Sequence, residues 1–130
     1  MIRIEHVALW TRDVDRLVAF YCTYFAAKAG ARYLNPAKGF ESRFVSFTSG
    51  ARLEIMRTTS LRPVEHDPGA QRMGLTHLAL SVGSEESVNA LTERLRGDGY
   101  PVVDGPRRTG DGYYESVVLD PDGNRLEISA

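Results

Sequence analysis

The chain is poor in several residue types and motifs, and each shortage narrows the reading. One cysteine, Cys22, in 130 residues leaves no partner for an internal disulfide. Its apolar Phe20-Tyr21-Cys22 setting reads as a buried thiol rather than a nucleophile. Lysine occurs only at Lys28 and Lys38, against fourteen arginines that form no basic run. With a net charge of −1, bulk electrostatics points to no nucleic acid and no membrane surface as partner. No apolar run approaches the roughly 20 residues that span a bilayer. The opening Met1-Ile2-Arg3-Ile4-Glu5-His6 lacks the long apolar core of a secretion signal, so cytoplasmic residence is expected. A phosphate-cradling glycine loop, a nucleophile elbow and a zinc knuckle are also missing. The 42% apolar and 25% charged residues fit an ordinary soluble globular chain.

What is present is an internal echo. Gly50-Ala51-Arg52-Leu53-Glu54-Ile55-Met56 is answered by Gly123-Asn124-Arg125-Leu126-Glu127-Ile128-Ser129. Ile4-Glu5-His6-Val7-Ala8-Leu9 is answered by Leu75-Thr76-His77-Leu78-Ala79-Leu80. His6 precedes Glu54 by 48 residues and His77 precedes Glu127 by 50. Matches in the same order at this spacing indicate two duplicated modules rather than a solenoid.

The local pattern agrees. Ile2 to Trp10 reads as a strand. Thr11 or Asp13 can cap a helix whose apolar face is Val14, Leu17, Val18, Tyr21, Tyr24 and Phe25, fading by Gly30. Ala31 to Leu34 is a short strand, and Asn35 to Gly39 a turn. Ser42 to Thr48 and Ala51 to Arg57 form a hairpin about Ser49-Gly50. Thr58 to Gly74 is polar, contains Pro63, His66 and Pro68, and lacks a period. The series then repeats: strand Leu75 to Val82, a helix capped by Ser84 and stopped at Gly97-Asp98-Gly99, a short strand at Val102-Val103, a loop from Pro106 to Gly112, strand Tyr113 to Leu119, turn Asp120 to Gly123, and strand Asn124 to Ser129.

Alternation along a strand separates Leu53 and Ile55 from Glu54, and Leu126 and Ile128 from Glu127. It separates Val7 and Leu9 from His6, and Leu78 and Leu80 from His77. The aliphatic faces suit packing under the helices, so His6, Glu54, His77 and Glu127 belong to the other face. A lone strand histidine is ordinarily a satisfied core residue, and a lone strand glutamate ordinarily faces solvent. Four such residues at repeat-related positions point instead to a divalent metal, because carboxylates taken out of water need a cation. Zinc, nickel, cobalt, manganese or ferrous iron accept this nitrogen and oxygen set, whereas calcium prefers more oxygens. Trp10, Phe44 and Tyr113 can line a substrate pocket. Arg107 and Arg108, in the Pro106–Gly112 loop, either hold an anionic substrate or are simply solvated.

These residues resemble the vicinal oxygen chelate superfamily, the glyoxalase, bleomycin-resistance and dioxygenase group. The resemblance covers essentially the whole chain. It is carried by the two His-containing strands, by Phe20-Tyr21, and by Asp120-Pro121-Asp122-Gly123-Asn124-Arg125-Leu126-Glu127. It implies an α+β fold, with two βαβββ modules forming a curved mixed sheet around a metal site. A single domain, residues 1–130, would comprise modules at about 1–58 and 75–130 joined by linker 59–74.

The His, Glu, His, Glu order resembles glyoxalase I. By that resemblance the chain is a metal-dependent lyase or isomerase that transfers a proton next to a carbonyl. Glu127 is the first candidate for the base and Glu54 its counterpart. The substrate implied is a small molecule such as the thiol adduct of an α-oxoaldehyde, and a homodimer is implied, with each metal site formed within one chain or shared between two. Two glutathione-holding positions of bacterial glyoxalase I are Trp10 and Thr58 in this chain, and the usual Leu-Gly after the first helix is replaced around Phe25-Ala26-Ala27. The substrate is therefore left open. The alternatives are an extradiol-type dioxygenase of the same superfamily, against which the second acid argues, and a non-enzymatic small-molecule binding protein, which would lack the metal ligands.

Overall fold

The computed structural model describes residues 1–64, 67 and 69–130. His66, within the polar segment Thr58 to Gly74, lies outside the described residues. The chain divides into two compact units, Met1–Val64 and Glu65–Ala130. Among the described residues of 59–76 there is no helix or strand.

The first unit runs β1 (His6–Trp10), α1 (Val14–Phe25), β2 (Lys28–Ala29), β3 (Tyr33–Asn35), β4 (Phe40–Ser46) and β5 (Arg52–Thr58). Its sheet is ordered β1-β5-β4-β2, with β3 also on β4. β1 runs parallel to β5, and the other pairs are antiparallel. Both expected capping residues take part in starting α1. Asp13 accepts from the Arg16 N–H at 3.0 Å, and buried Thr11 accepts from the Asp13 N–H at 3.1 Å. Leu17, Val18 and Tyr21 of α1 are buried with Val45, Leu53 and Ile55 of the sheet. Each such aliphatic side chain contributes roughly 1.5–3 kcal/mol by leaving water.

The second unit repeats the plan with β6 (His77–Ser81), α2 (Glu85–Gly97), β7 (Val102–Arg108), β8 (Tyr114–Leu119) and β9 (Arg125–Ser129). The order is β6-β9-β8-β7, with β6 parallel to β9. Ser84 caps α2 by accepting from the Ser87 N–H at 3.1 Å. Val88, Thr92 and Leu95 are buried with Ser116, Val118, Leu126 and Ile128. Buried Asp120 organises the turn before β9. Its Oδ1 accepts from the N–H groups of Asp122 and Asn124, both at 2.9 Å, and its Oδ2 from the Asn124 side chain at 2.8 Å. The fold is thus α+β, with two mixed sheets, each carrying one helix.

Several expectations need correction. β1 begins at His6, and Ile2 and Ile4 are exposed ahead of it. α1 ends at Phe25, because Ala26 takes a left-handed conformation at φ 53°. The short strand near residue 31 is two pieces, β2 and β3, whose registers on β4 differ by one residue. The largest change concerns Pro106–Gly112. Pro106, Arg107 and Arg108 belong to β7, not to a loop. β7 is an edge strand, where the missing proline N–H costs no ladder bond. Two register shifts on β8 absorb the irregularity. Gly105, at φ +74°, lies within the second shift, between Asp104 and Arg107, and a Cβ there would meet the Glu115 carbonyl oxygen at 2.6 Å, so glycine is required.

Candidate metal centre

The parallel pairing in each unit brings one histidine beside one glutamate. Ala8 is the register partner of Glu54, and Ala79 of Glu127. His6 and His77 lie two residues earlier in their strands and so share the glutamate's face. Nε2 of His6 is 3.7 Å from Oε1 of Glu54, and Nε2 of His77 is 3.1 Å from Oε2 of Glu127. Leu53, Ile55, Leu126 and Ile128 occupy the opposite, buried face. The glutamates are about one-fifth exposed, at 19% and 21%, and the histidines more open, at 40% and 36%. Each pair is therefore partly open to solvent. The nitrogen and oxygen types fit a borderline divalent cation. Within either unit, the described His, Cys, Asp and Glu residues form no group of three or more placed to hold an ion.

Residues 3–128 match the family model of the Glyoxalase/Bleomycin resistance protein/Dioxygenase superfamily. The chain belongs to this superfamily. Its members typically bind a divalent metal ion and act on small molecules. Among curated proteins, the uncharacterised YqjT protein of Bacillus subtilis (strain 168) is 39% identical over 62 residues, 45% of this chain and 48% of that protein. The match thus spans about half the length of that relative. The trypanothione-dependent glyoxalase I of Leishmania major superposes with a TM-score of 0.75 at 22% identity, over 99% of this chain and 86% of that one. A glyoxylase/bleomycin resistance protein/dioxygenase domain from Frankia sp. EAN1pec gives 0.81 at 22% identity, over 99% and 97%. At these identities the structural likeness is one of fold.

The other candidate residues of this glyoxalase-superfamily chain surround or flank the pairs in sequence. Trp10 ends β1 on the His6 face. It is half exposed and meets Phe40 edge-on, with centroids 6.2 Å apart, and Tyr33 packs on Phe40 at 6.1 Å. Phe44 meets His6 edge-on at 5.4 Å. Tyr113 lies just before β8, exposed, with its N–H donating to Thr109 Oγ1 at 3.0 Å. Arg107 is engaged by Asp104 at 2.9 Å, and that contact lowers the Asp104 pKa and raises that of Arg107. Arg108 contacts Glu85.

Two carboxylates escaped the reading of the sequence. Glu115, on β8, shares the face of Glu127, two residues from its register partner Val117. Burial, and then the Glu127 charge, push its carboxyl above the ordinary range. The available signal was one acid within the apolar run Tyr114–Leu119, two residues from the Val117 that pairs with Glu127. Glu5 is the other. Strict alternation would send it away from His6, but β1 starts only at His6, and Oε2 of Glu5 lies 2.5 Å from His6 Nδ1. The hydrogen bond to His6, together with the Arg52 guanidinium, holds the Glu5 carboxyl below the usual range.

Proposed function

We propose that this chain is a metal-dependent, glyoxalase I-like lyase or isomerase that moves a proton on the carbon next to a substrate carbonyl. The supporting observation is the repeated pair: a histidine Nε2 against a glutamate carboxylate, on equivalent strands of two equivalent sheets, at 3.7 and 3.1 Å. In this reading His6, Glu54, His77 and Glu127 are the four ligands of one ion, drawn from one chain or shared across a homodimer. Once bound, a divalent cation supplies positive charge to substrate oxygens that become negative as the proton leaves.

Glu127 serves as the base, with the Glu115 carboxyl group beside it on the same face. Glu54 serves the opposite face. Trp10, Phe44, Tyr113 and Arg107 are the candidates for lining the substrate site. The substrate class is a small molecule with neighbouring oxygens, such as the thiol adduct of an α-oxoaldehyde, and the compartment is the cytoplasm.

The test is metal analysis of the purified protein, followed by activity on the hemithioacetals of methylglyoxal with several thiols. Stoichiometric zinc, nickel, cobalt, manganese or iron, and isomerisation of at least one adduct, are expected. A protein that neither contains such an ion nor takes one up is not this enzyme, and a small-molecule binding role would replace the proposal. Gel filtration showing only monomer would remove the shared-site arrangement.

A further inference from the structure

A metal takes an unprotonated imidazole nitrogen, and neutral imidazole carries its single proton on either of two. In the first unit the surroundings of His6 decide which. Nδ1 of His6 faces Oε2 of Glu5 at 2.5 Å. Oε1 of the same carboxylate accepts from Nε of Arg52 at 2.8 Å, and Nη2 of Arg52 contacts it as well. Arg52 is itself fixed. Its backbone N–H donates to the Glu5 carbonyl at 3.0 Å, and its guanidinium carbon lies 4.1 Å from the centre of the Phe44 ring. That same ring meets His6 edge-on.

An ionised carboxylate only accepts, so the proton of neutral His6 belongs on Nδ1. The lone pair is then left on Nε2, the nitrogen that faces Glu54. The second unit keeps the histidine, the glutamate and the arginine, as His77, Glu127 and Arg125, but has Thr76 where Glu5 would stand. Among the described residues, none bonds Nδ1 of His77.

We propose that Glu5, held by Arg52, is a positioning residue that sets His6 in its Nδ1–H form before any ion arrives. His6 is thereby the preformed anchor of the ion, and His77 is not. A carboxylate behind a ligating histidine fixes the tautomer and raises the basicity of the donor nitrogen, and its loss ordinarily costs 10–100-fold in metal affinity. The consequence for the ion rests on the metal-site reading above, whereas the tautomer does not.

The tautomer can be read in metal-free, ¹⁵N-labelled protein from long-range proton–nitrogen spectra of the imidazoles at a pH where they are neutral. The chain has only three histidines, so His6→Gln and His77→Gln complete the assignment. Native His6 is expected to show a protonated Nδ1 and a bare Nε2, with His77 mixed or Nε2-protonated. Glu5→Ala should return His6 to the mixed form, and Glu5→Gln, whose amide oxygen still accepts, should largely keep the native form. Titration with zinc chloride should show affinity reduced about 10–100-fold in Glu5→Ala, less in Glu5→Gln, and unchanged in Thr76→Ala.

A native His6 that is mainly Nε2-protonated, or one that Glu5→Ala leaves unaltered, overturns the positioning role. An altered tautomer with unchanged zinc affinity overturns the anchor. A native protein that binds no zinc, nickel, cobalt, manganese or iron at all, with the spectra as expected, refutes the metal reading while Glu5 keeps its role.

Discussion

The two units share a register and differ in what surrounds it. In both, a parallel pair sets a histidine beside a glutamate, and an aliphatic row on the other face packs with a helix. In the first, the His6 face is aromatic, with Trp10, Phe40, Phe44 and Tyr33, and the imidazole is backed by Glu5 and Arg52. In the second, that face carries Glu115 against Glu127. The space between helix and sheet differs too. Tyr21 is wholly buried eight residues after the cap of α1, whereas Thr92 at the same place in α2 shares a 2.7 Å hydrogen bond with Ser116. Backbone pairing fixes where the histidine and the glutamate stand, so the repeat preserves them. The side chains around them carry no such constraint and are free to specialise one copy as a rigid holder and the other as a responsive partner.

The largest effect should come from the two acids. Glu127→Gln is expected to lower kcat by about 10²–10⁴-fold while the ion remains bound, with Glu54→Gln acting mainly on ion affinity. Steady-state kinetics beside metal analysis of each variant measures this. A greater kcat loss in Glu54→Gln would move the base to the first unit.

Next comes the buried hydroxyl pair. Thr92→Val strands the Ser116 hydroxyl among apolar neighbours and should cost about 1–3 kcal/mol, whereas adding Ser116→Ala should recover much of that. Urea unfolding gives both values, and a double variant no more stable than Thr92→Val would contradict the assignment.

The smallest effect concerns the helix ends. Exposed Ala26 is the one described non-glycine residue at positive φ, while the second unit has Gly99, at φ 91°, after its helix. Ala26→Gly should raise stability by about 1 kcal/mol at most, the relief of Cβ crowding being partly offset by the freer unfolded chain. A lowered melting temperature would show that the left-handed position is not strained.

Much of this was legible in the sequence, for physical reasons. Period-two alternation around Glu54 and Glu127 marks the face opposite the helix, and the repeat supplies the partner for each residue. Asp13 and Ser84 announce the helix starts because their side chains satisfy otherwise open N–H groups. Of β7 only Val102-Val103 was legible, because glycine and proline are ordinary loop signals and only its edge position makes Gly105-Pro106 compatible with a strand. The role of Glu5 was hidden because alternation applies only inside a strand, and β1 begins one residue later. Glu115 was hidden because an acid in a strand is ordinary until its neighbour across the sheet is known to be another acid.

The Asp120 turn has a further consequence. By gathering three donors onto one carboxylate it fixes where β9 enters the sheet, seven residues ahead of Glu127. A strand has only two faces, so one residue gained or lost between Asp120 and Glu127 would turn the carboxylate under the helix and Leu126 or Ile128 outward. Length in this segment is therefore under stricter control than residue identity: conservative replacements along β9 weaken the protein by degrees, whereas an insertion there exchanges its inside for its outside.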